Sequence, residues 1–216
     1  MPGRLPLWRY TMSRILPLNP RTAPLAAQTL RAGELVVLPT DTVYGVAASV
    51  NLDAAVGRLY EAKGRPEGKP IPLLLSDPDR IEAVCVDVPE AARRLAEAFW
   101  PGPLTIALPK RAGLPEILTP LPTVGVRVPD HDLTRAVIRA LGGALAVTSA
   151  NRSGAADPLT VQEAFAQLGA AVALYLDAGR APGGIPSTVV GFDAAGEPVI
   201  VRQGPISEAA LRAVIG

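Results

Sequence analysis

Short, unbroken apolar runs recur along this 216-residue chain, each too short for a helix of its own and too apolar for a strand with one wet face. Residues 34–38 (after Glu34), 72–75 and 144–147 hold such runs, and 43–50, 104–108, 123–128, 172–176, 187–192 and 199–202 add strand-like segments. Between them lie stretches with helical spacing. Residues 22–32 place Leu25, Ala26 and Leu30 on one face and stop at Gly33. Residues 54–63, capped by Asp53, carry Ala55, Val56, Leu59 and Tyr60, and 89–99 carry Ala92, Leu95, Ala96 and Phe99. Asp130 or Asp132 is expected to cap a helix bearing Leu133, Val137, Ile138 and Leu141. Thr160 with Glu163 forms a capping box, and Ser207 opens a closing helix. Buried strands alternating with helices, without a repeat or a low-complexity linker, predict one α/β domain over 15–216 with a mixed sheet flanked by helices. Residues 1–14 are expected as an N-terminal tail, with Met1 or Met12 as the start.

Composition narrows the chemistry. With 49% hydrophobic residues and a net charge of +1, the chain can build a core but has no bulk attraction for nucleic acid or anionic membrane, so any anion site must be local. The single cysteine, Cys85, lies in an apolar run and excludes an intrachain disulfide; with His131 as the only histidine, a zinc site is not expected. There is no apolar stretch of membrane-spanning length and no secretory h-region in the first 14 residues, which predicts a cytoplasmic protein with no membrane partner.

Polar residues that break the apolar pattern gather at expected strand ends: Thr40 to Thr42, Lys63 to Lys69, Arg127, Thr148 to Asn151, Ser187-Thr188 and Arg202. Ligands of open α/β sheets bind beyond strand ends, so these loops are candidates for one site. Each has a plainer reading. Lys63-Gly64 followed by Pro66 is how an ordinary helix stops. Ser149 and Asn151 suit a turn, and Arg127, opposite Val124, Val126 and Val128, is either solvent-facing or anion-binding. The 64–70 stretch mimics a P-loop, but its glycines stand too close and Pro70 occupies the metal-binding hydroxyl position. His131 between two aspartates reads as a solvated loop residue, and no serine sits in a nucleophile elbow.

Taken in order, these pieces resemble the YrdC family, the threonylcarbamoyl-AMP synthases. They are Pro39-Thr40-Asp41-Thr42-Val43-Tyr44-Gly45, Lys63-x-Arg65-Pro66 with Lys69-Pro70, Trp100-Pro101-Gly102-Pro103-Leu104-Thr105, Val126-Arg127-Val128-Pro129, Thr148-Ser149-Ala150-Asn151-x-Ser153-Gly154, Ser187-Thr188-Val189 and Arg202-x-Gly204. The resemblance spans about 15–215 and is to the short, single-domain members. It implies a twisted α/β sheet around a positively lined cavity, and an enzyme, a nucleotidyltransferase, joining L-threonine, bicarbonate and ATP into threonylcarbamoyl-AMP with release of pyrophosphate. Magnesium is expected with ATP. The implied partner is a threonylcarbamoyl transferase complex acting on tRNA, with direct contact to tRNA a further expectation. Residue by residue, Lys63 and Arg65 are implied as catalytic and phosphate-binding. Thr40, Arg127, Ser149 and Ser187 are implied for threonine, and Thr123, Asn151 and Arg202 for ATP. The alternatives are an RNA-binding module of the same fold and a carbamoyl-transfer domain like that of hydrogenase maturation factors.

Overall fold

A sheet of ten strands runs through the protein, whose computed structural model describes residues 13–193 and 195–216. In chain order the strands are β1 (Arg14–Pro17), β2 (Val36–Leu38), β3 (Gly45–Ser49), β4 (Leu73–Leu75), β5 (Leu104–Pro109), β6 (Thr123–Arg127), β7 (Ala144–Ser149), β8 (Leu174–Asp177), β9 (Thr188–Phe192) and β10 (Pro198–Arg202). Their spatial order is β1-β8-β2-β3-β7-β4-β6-β5-β9-β10. Four pairs are parallel (β1 with β8, β2 with β8, β4 with β6, β5 with β9) and the rest antiparallel, so the sheet is mixed. The helices are α1 (Ala23–Arg31), α2 (Asp53–Lys63), α3 (Ile81–Val84), α4 (Glu90–Phe99), α5 (Asp132–Ala140), α6 (Val161–Leu168) and α7 (Glu208–Ile215).

Side-chain alternation sorts the apolar runs onto two faces, as the pleat requires. Val36, Leu38, Ala47, Leu74, Leu145, Val147, Leu174 and Leu176 face a core closed by Ala26 and Leu30 of α1 and Val137 and Ile138 of α5. Val37, Val46, Ala48, Leu73, Leu75, Ala146 and Tyr175 face the other side, where α2, α4 and α6 contribute Val56, Leu59, Leu95 and Val161. That second core continues under β5, β6 and β9 through Leu104, Ile106, Leu108, Val124, Val126 and Val190. The first core does not extend there. Among the described residues, α1 and α5 cover only the half of their face formed by β8, β2, β3, β7 and β4.

Several sequence expectations need correction. Most of the expected tail, residues 1–12, lies outside the described residues, whereas Arg14 is already the first residue of β1. Asp53 is the first residue of α2 rather than its cap, and makes no capping bond. Neither Asp130 nor Asp132 caps α5. His131 does, its Nδ1 accepting from the Thr134 N–H at 3.3 Å, so this histidine is a half-buried structural residue and not a solvated one. Burial lowers its pKa against the opposing charges of Asp41, Asp132 and Asp130. The Cys85 thiol is buried, which pushes its pKa up to about 12 and leaves it inert.

Candidate active site

The uncovered half of the sheet face is the floor of a cavity of about 780 Å³. Because Leu104, Ile106, Val124, Val126 and Val190 point into the core beneath, the alternate residues Thr105, Ala107, Thr123, Gly125, Arg127, Val189 and Gly191 must point into the cavity, and they line it. Gly125 keeps the floor low: a Cβ there would stand 3.1 Å from Thr105 Cγ2 and 3.3 Å from Pro72 Cβ. Loops following β2, α2 and β7, and those flanking β9 and β10, supply the walls.

Arg127 is 5% exposed, yet borders this space. Its Nε donates to Gly102 O (2.9 Å), Nη1 to Thr42 Oγ1 (3.0 Å) and Nη2 to Asp41 Oδ1 (2.5 Å). Burial lowers the guanidinium pKa, and the Asp41 charge works against that loss. Two of its five N–H groups carry no partner among the described residues. Asp41 also accepts from the Asp130 N–H at 3.0 Å. The Thr40 hydroxyl closes the turn, donating to Val43 O (2.7 Å) and lying 3.0 Å from Thr42 Oγ1. Sequence left Arg127 open between solvent and anion; it is buried at the cavity wall with a fixed counterion.

Lys63 is 2% exposed. Its Nζ donates to Ser149 O, to Asn151 O (2.6 Å) and to Asn151 Oδ1 (2.9 Å). Asn151 Oδ1 also receives Ser149 Oγ (2.6 Å), and Asn151 Nδ2 donates to Ala155 O (2.6 Å). The last residue of α2 therefore pins the turn after β7 through three oxygens. Burial, reinforced by the nearby Arg65 charge, brings the ammonium down to about 8, with Asp157 opposing. Ser149 lines the cavity; Lys63 and Asn151 do not, and reach it through that turn. Gly64 at φ 56° ends α2 in the left-handed conformation, so the helix-stop reading of this stretch holds beside any functional one.

Two further arginines line the cavity. Arg65 donates one N–H to Pro70 O (2.9 Å), while its buried Nε has no partner, an orphan donor at a cavity wall. Arg202 grips Ser187: its Nη2 lies 2.7 Å from Ser187 O and 3.1 Å from Ser187 Oγ, and that hydroxyl sits 2.8 Å from Thr105 Oγ1. Burial lowers the pKa of both arginines. Gly204 folds against this corner so tightly that a Cβ would stand 2.2 Å from Thr188 N, and its N–H donates to Thr188 Oγ1 (3.1 Å). Hence Ser187-Thr188 and Arg202-x-Gly204 form one corner.

Of the nine residues singled out from sequence, Thr40, Arg65, Thr123, Arg127, Ser149, Ser187 and Arg202 line one cavity. Four residues with a part in it had no role assigned from the sequence: Asp41, Thr42, Thr105 and Asp157. Thr105 carried a signal, as the one hydroxyl in an apolar strand. Asp41 and Thr42 belong to the Thr40 to Thr42 stretch but carried no assigned role, and Asp157 falls in none of the stretches.

The Sua5, YciO and YrdC family model, described as "Telomere recombination", matches residues 28–204. The chain is 37% identical over 211 residues, 97% of its length, to the threonylcarbamoyl-AMP synthase of Bacillus subtilis (strain 168), of which it covers 61%. To the threonylcarbamoyl-AMP synthase of Pyrococcus abyssi it is 36% identical over 89% of this chain and 56% of that one. The fold superposes on a crystal structure of P. abyssi Sua5 complexed with L-threonine with a TM-score of 0.88 at 33% identity, covering 95% of this chain and 60% of that chain. The chain thus spans about three-fifths of the length of these relatives.

Proposed function

We propose, because this chain belongs to the Sua5, YciO and YrdC family, that it is a threonylcarbamoyl-AMP synthase using L-threonine, bicarbonate and ATP. The observation that carries this reading is the convergence of Arg65, Arg127 and Arg202 on one cavity of a protein whose net charge is only +1. Such a cavity suits several anionic groups at once, here a triphosphate and a carboxylate. The threonine amine takes up carbon from bicarbonate with loss of water, giving a carbamate. A carbamate oxygen then attacks the α-phosphorus, the bond to the bridging oxygen breaks, and pyrophosphate leaves. This displacement needs alignment and charge dispersal more than a nucleophilic side chain. A site without histidine or cysteine can serve it.

The residues divide by where their donors are. The free N–H groups of Arg127, with Thr40 and the Ser187 hydroxyl nearby on the wall, suit the threonine carboxylate and hydroxyl. Arg65, with Arg202 and Thr123 on the same cavity, suits the nucleotide. Ser149 stands between the two groups of ligands, in the turn that Lys63 and Asn151 hold. Magnesium, carried with the nucleotide, supplies charge neutralisation at the phosphates. The described residues contain no group of three metal-binding side chains but do offer the cavity one unpaired carboxylate, Asp157, which suits an ion held mostly by phosphates. The product is an activated acyl adenylate, and its consumer is a transferase acting on tRNA.

The test is pyrophosphate release by purified protein with ATP and magnesium, omitting one reactant at a time. Release should require both threonine and bicarbonate. Equal release without threonine would overturn the proposal.

A further inference from the structure

Two carboxylates line the cavity, Asp157 and Asp193, and they differ in their engagement. Asp193 is a turn residue: its Oδ1 accepts the N–H groups of Ala195 and Glu197, both at 2.9 Å. A third acid near the wall, Asp41, is bound to Arg127. Asp157 has no hydrogen bond and no ion pair among the described residues, although it shares its wall with Arg65 and Arg202. Its position is fixed all the same. The carbonyl of Ala156 accepts from Gln167 Nε2 (2.9 Å), and that of Pro158 accepts from the Tyr44 N–H (2.9 Å). Arg202 is weakened as a cation by burial, and the Asp157 charge is what opposes this. Asp157 therefore acts electrostatically on Arg202, a cation proposed for the nucleotide, while standing beyond ion-pair distance from it.

A bare carboxylate is a liability where phosphates bind. At close range two negative groups repel strongly in a partly desolvated cavity, unless a cation stands between them. A hard divalent ion resolves the conflict, since magnesium binds through one or two carboxylates together with phosphate oxygens and keeps its remaining waters. We infer that Asp157 is the protein's own ligand to the divalent cation that accompanies the nucleotide, so that the site selects the metal-bound form and disfavours the free one. The inference rests on the reading of this cavity as a nucleotide site.

The experiment is calorimetric titration of the whole protein with the α,β-methylene analogue of ATP, which cannot release pyrophosphate, in excess chelator and in excess magnesium. Wild-type protein and Asp157→Asn are compared, with Asp157→Ser as a second variant and circular dichroism confirming the fold. In the wild type, magnesium should tighten binding on the order of tenfold. In the variants, metal-free binding should tighten on the order of threefold or more, because the repelling charge is gone, and most of the magnesium gain should vanish. An undiminished magnesium gain in both folded variants would overturn the inference while leaving the nucleotide site intact. So would a loss of threonine affinity in the absence of nucleotide, which would place Asp157 against the amino group instead. Failure of the wild type to bind the analogue under either condition would overturn the nucleotide reading itself, and this inference with it.

Discussion

The buried Asp41–Arg127 pair ties the fold to the border of the cavity. The side chains are only 12% and 6% exposed, and Arg127 depends on Asp41 for its counter-charge. Asp41→Asn keeps the shape and can still accept a hydrogen bond from Arg127 Nη2 and the Asp130 N–H, but leaves a buried guanidinium without an anion. Breaking a buried pair from one side costs about 3–5 kcal/mol. The cavity beside Arg127 admits water, and Gly102 O and Thr42 Oγ1 remain as acceptors, so the lower end, about 3 kcal/mol, is expected. With a urea m-value of about 2–3 kcal/mol/M, the midpoint should fall by about 1–1.5 M. The pairwise contribution is isolated by a double-mutant cycle with Arg127→Met, since the doubly substituted protein has no stranded charge. Its loss should be smaller than the sum of the single losses by about 2 kcal/mol. A coupling below about 0.5 kcal/mol would refute the claim that Asp41 exists to hold Arg127 charged at the wall.

Lys63 and His131 give two pH predictions of opposite kind. Lys63 needs all three N–H groups for its three acceptors, so losing a proton as pH rises through about 8 should loosen the Ser149–Asn151 turn and lower the rate of pyrophosphate release. Because its folded pKa lies below its unfolded value, this residue's contribution to stability rises over the same range, so an alkaline activity loss accompanied by unfolding would count against the account. His131 is held neutral by burial, with a folded pKa below the ordinary 6.5. As pH falls from there the unfolded chain takes the proton first, and stability should decline; His131→Asn, which still caps α5, should flatten that slope in urea titrations at successive pH values. An unchanged slope would remove His131 as its source.

Much of the fold was legible because apolar runs and caps are local signals. Thr160 and Ser207 cap α6 and α7 as expected, accepting from the N–H groups of Glu163 and Ala210. What escaped was short or borrowed its stability from elsewhere. In β1 all four residues are exposed or half-buried, and the strand exists by pairing with β8, more than 150 residues away in the chain. The α3 helix is a single turn. His131 caps a helix because its imidazole can accept from Thr134 N–H while packing against the protein, a use that composition around Asp130 and Asp132 obscures.

Most of the cavity's polar lining was legible in the sequence, and the reason for it was not. Alternation in 123–128 placed Arg127 opposite the valines but could not say what lay on that side. The answer depends on α1 and α5, which cover β2, β3, β4, β7 and β8 and stop there. Thr105 and Arg127 are themselves buried, and their partners, the Ser187 hydroxyl for one and Gly102 O, Thr42 and Asp41 for the other, come from the surrounding loops and not from a covering helix. With the β5, β6 and β9 half of the face open, the alternation makes a polar floor. The charges follow the same logic: Asp41 is bound to its arginine and Asp193 to its turn, whereas Asp157 is left exposed to the cavity. A single sequence shows three aspartates in three loops, each a good turn former. Only their partners distinguish the one whose charge remains available to a ligand.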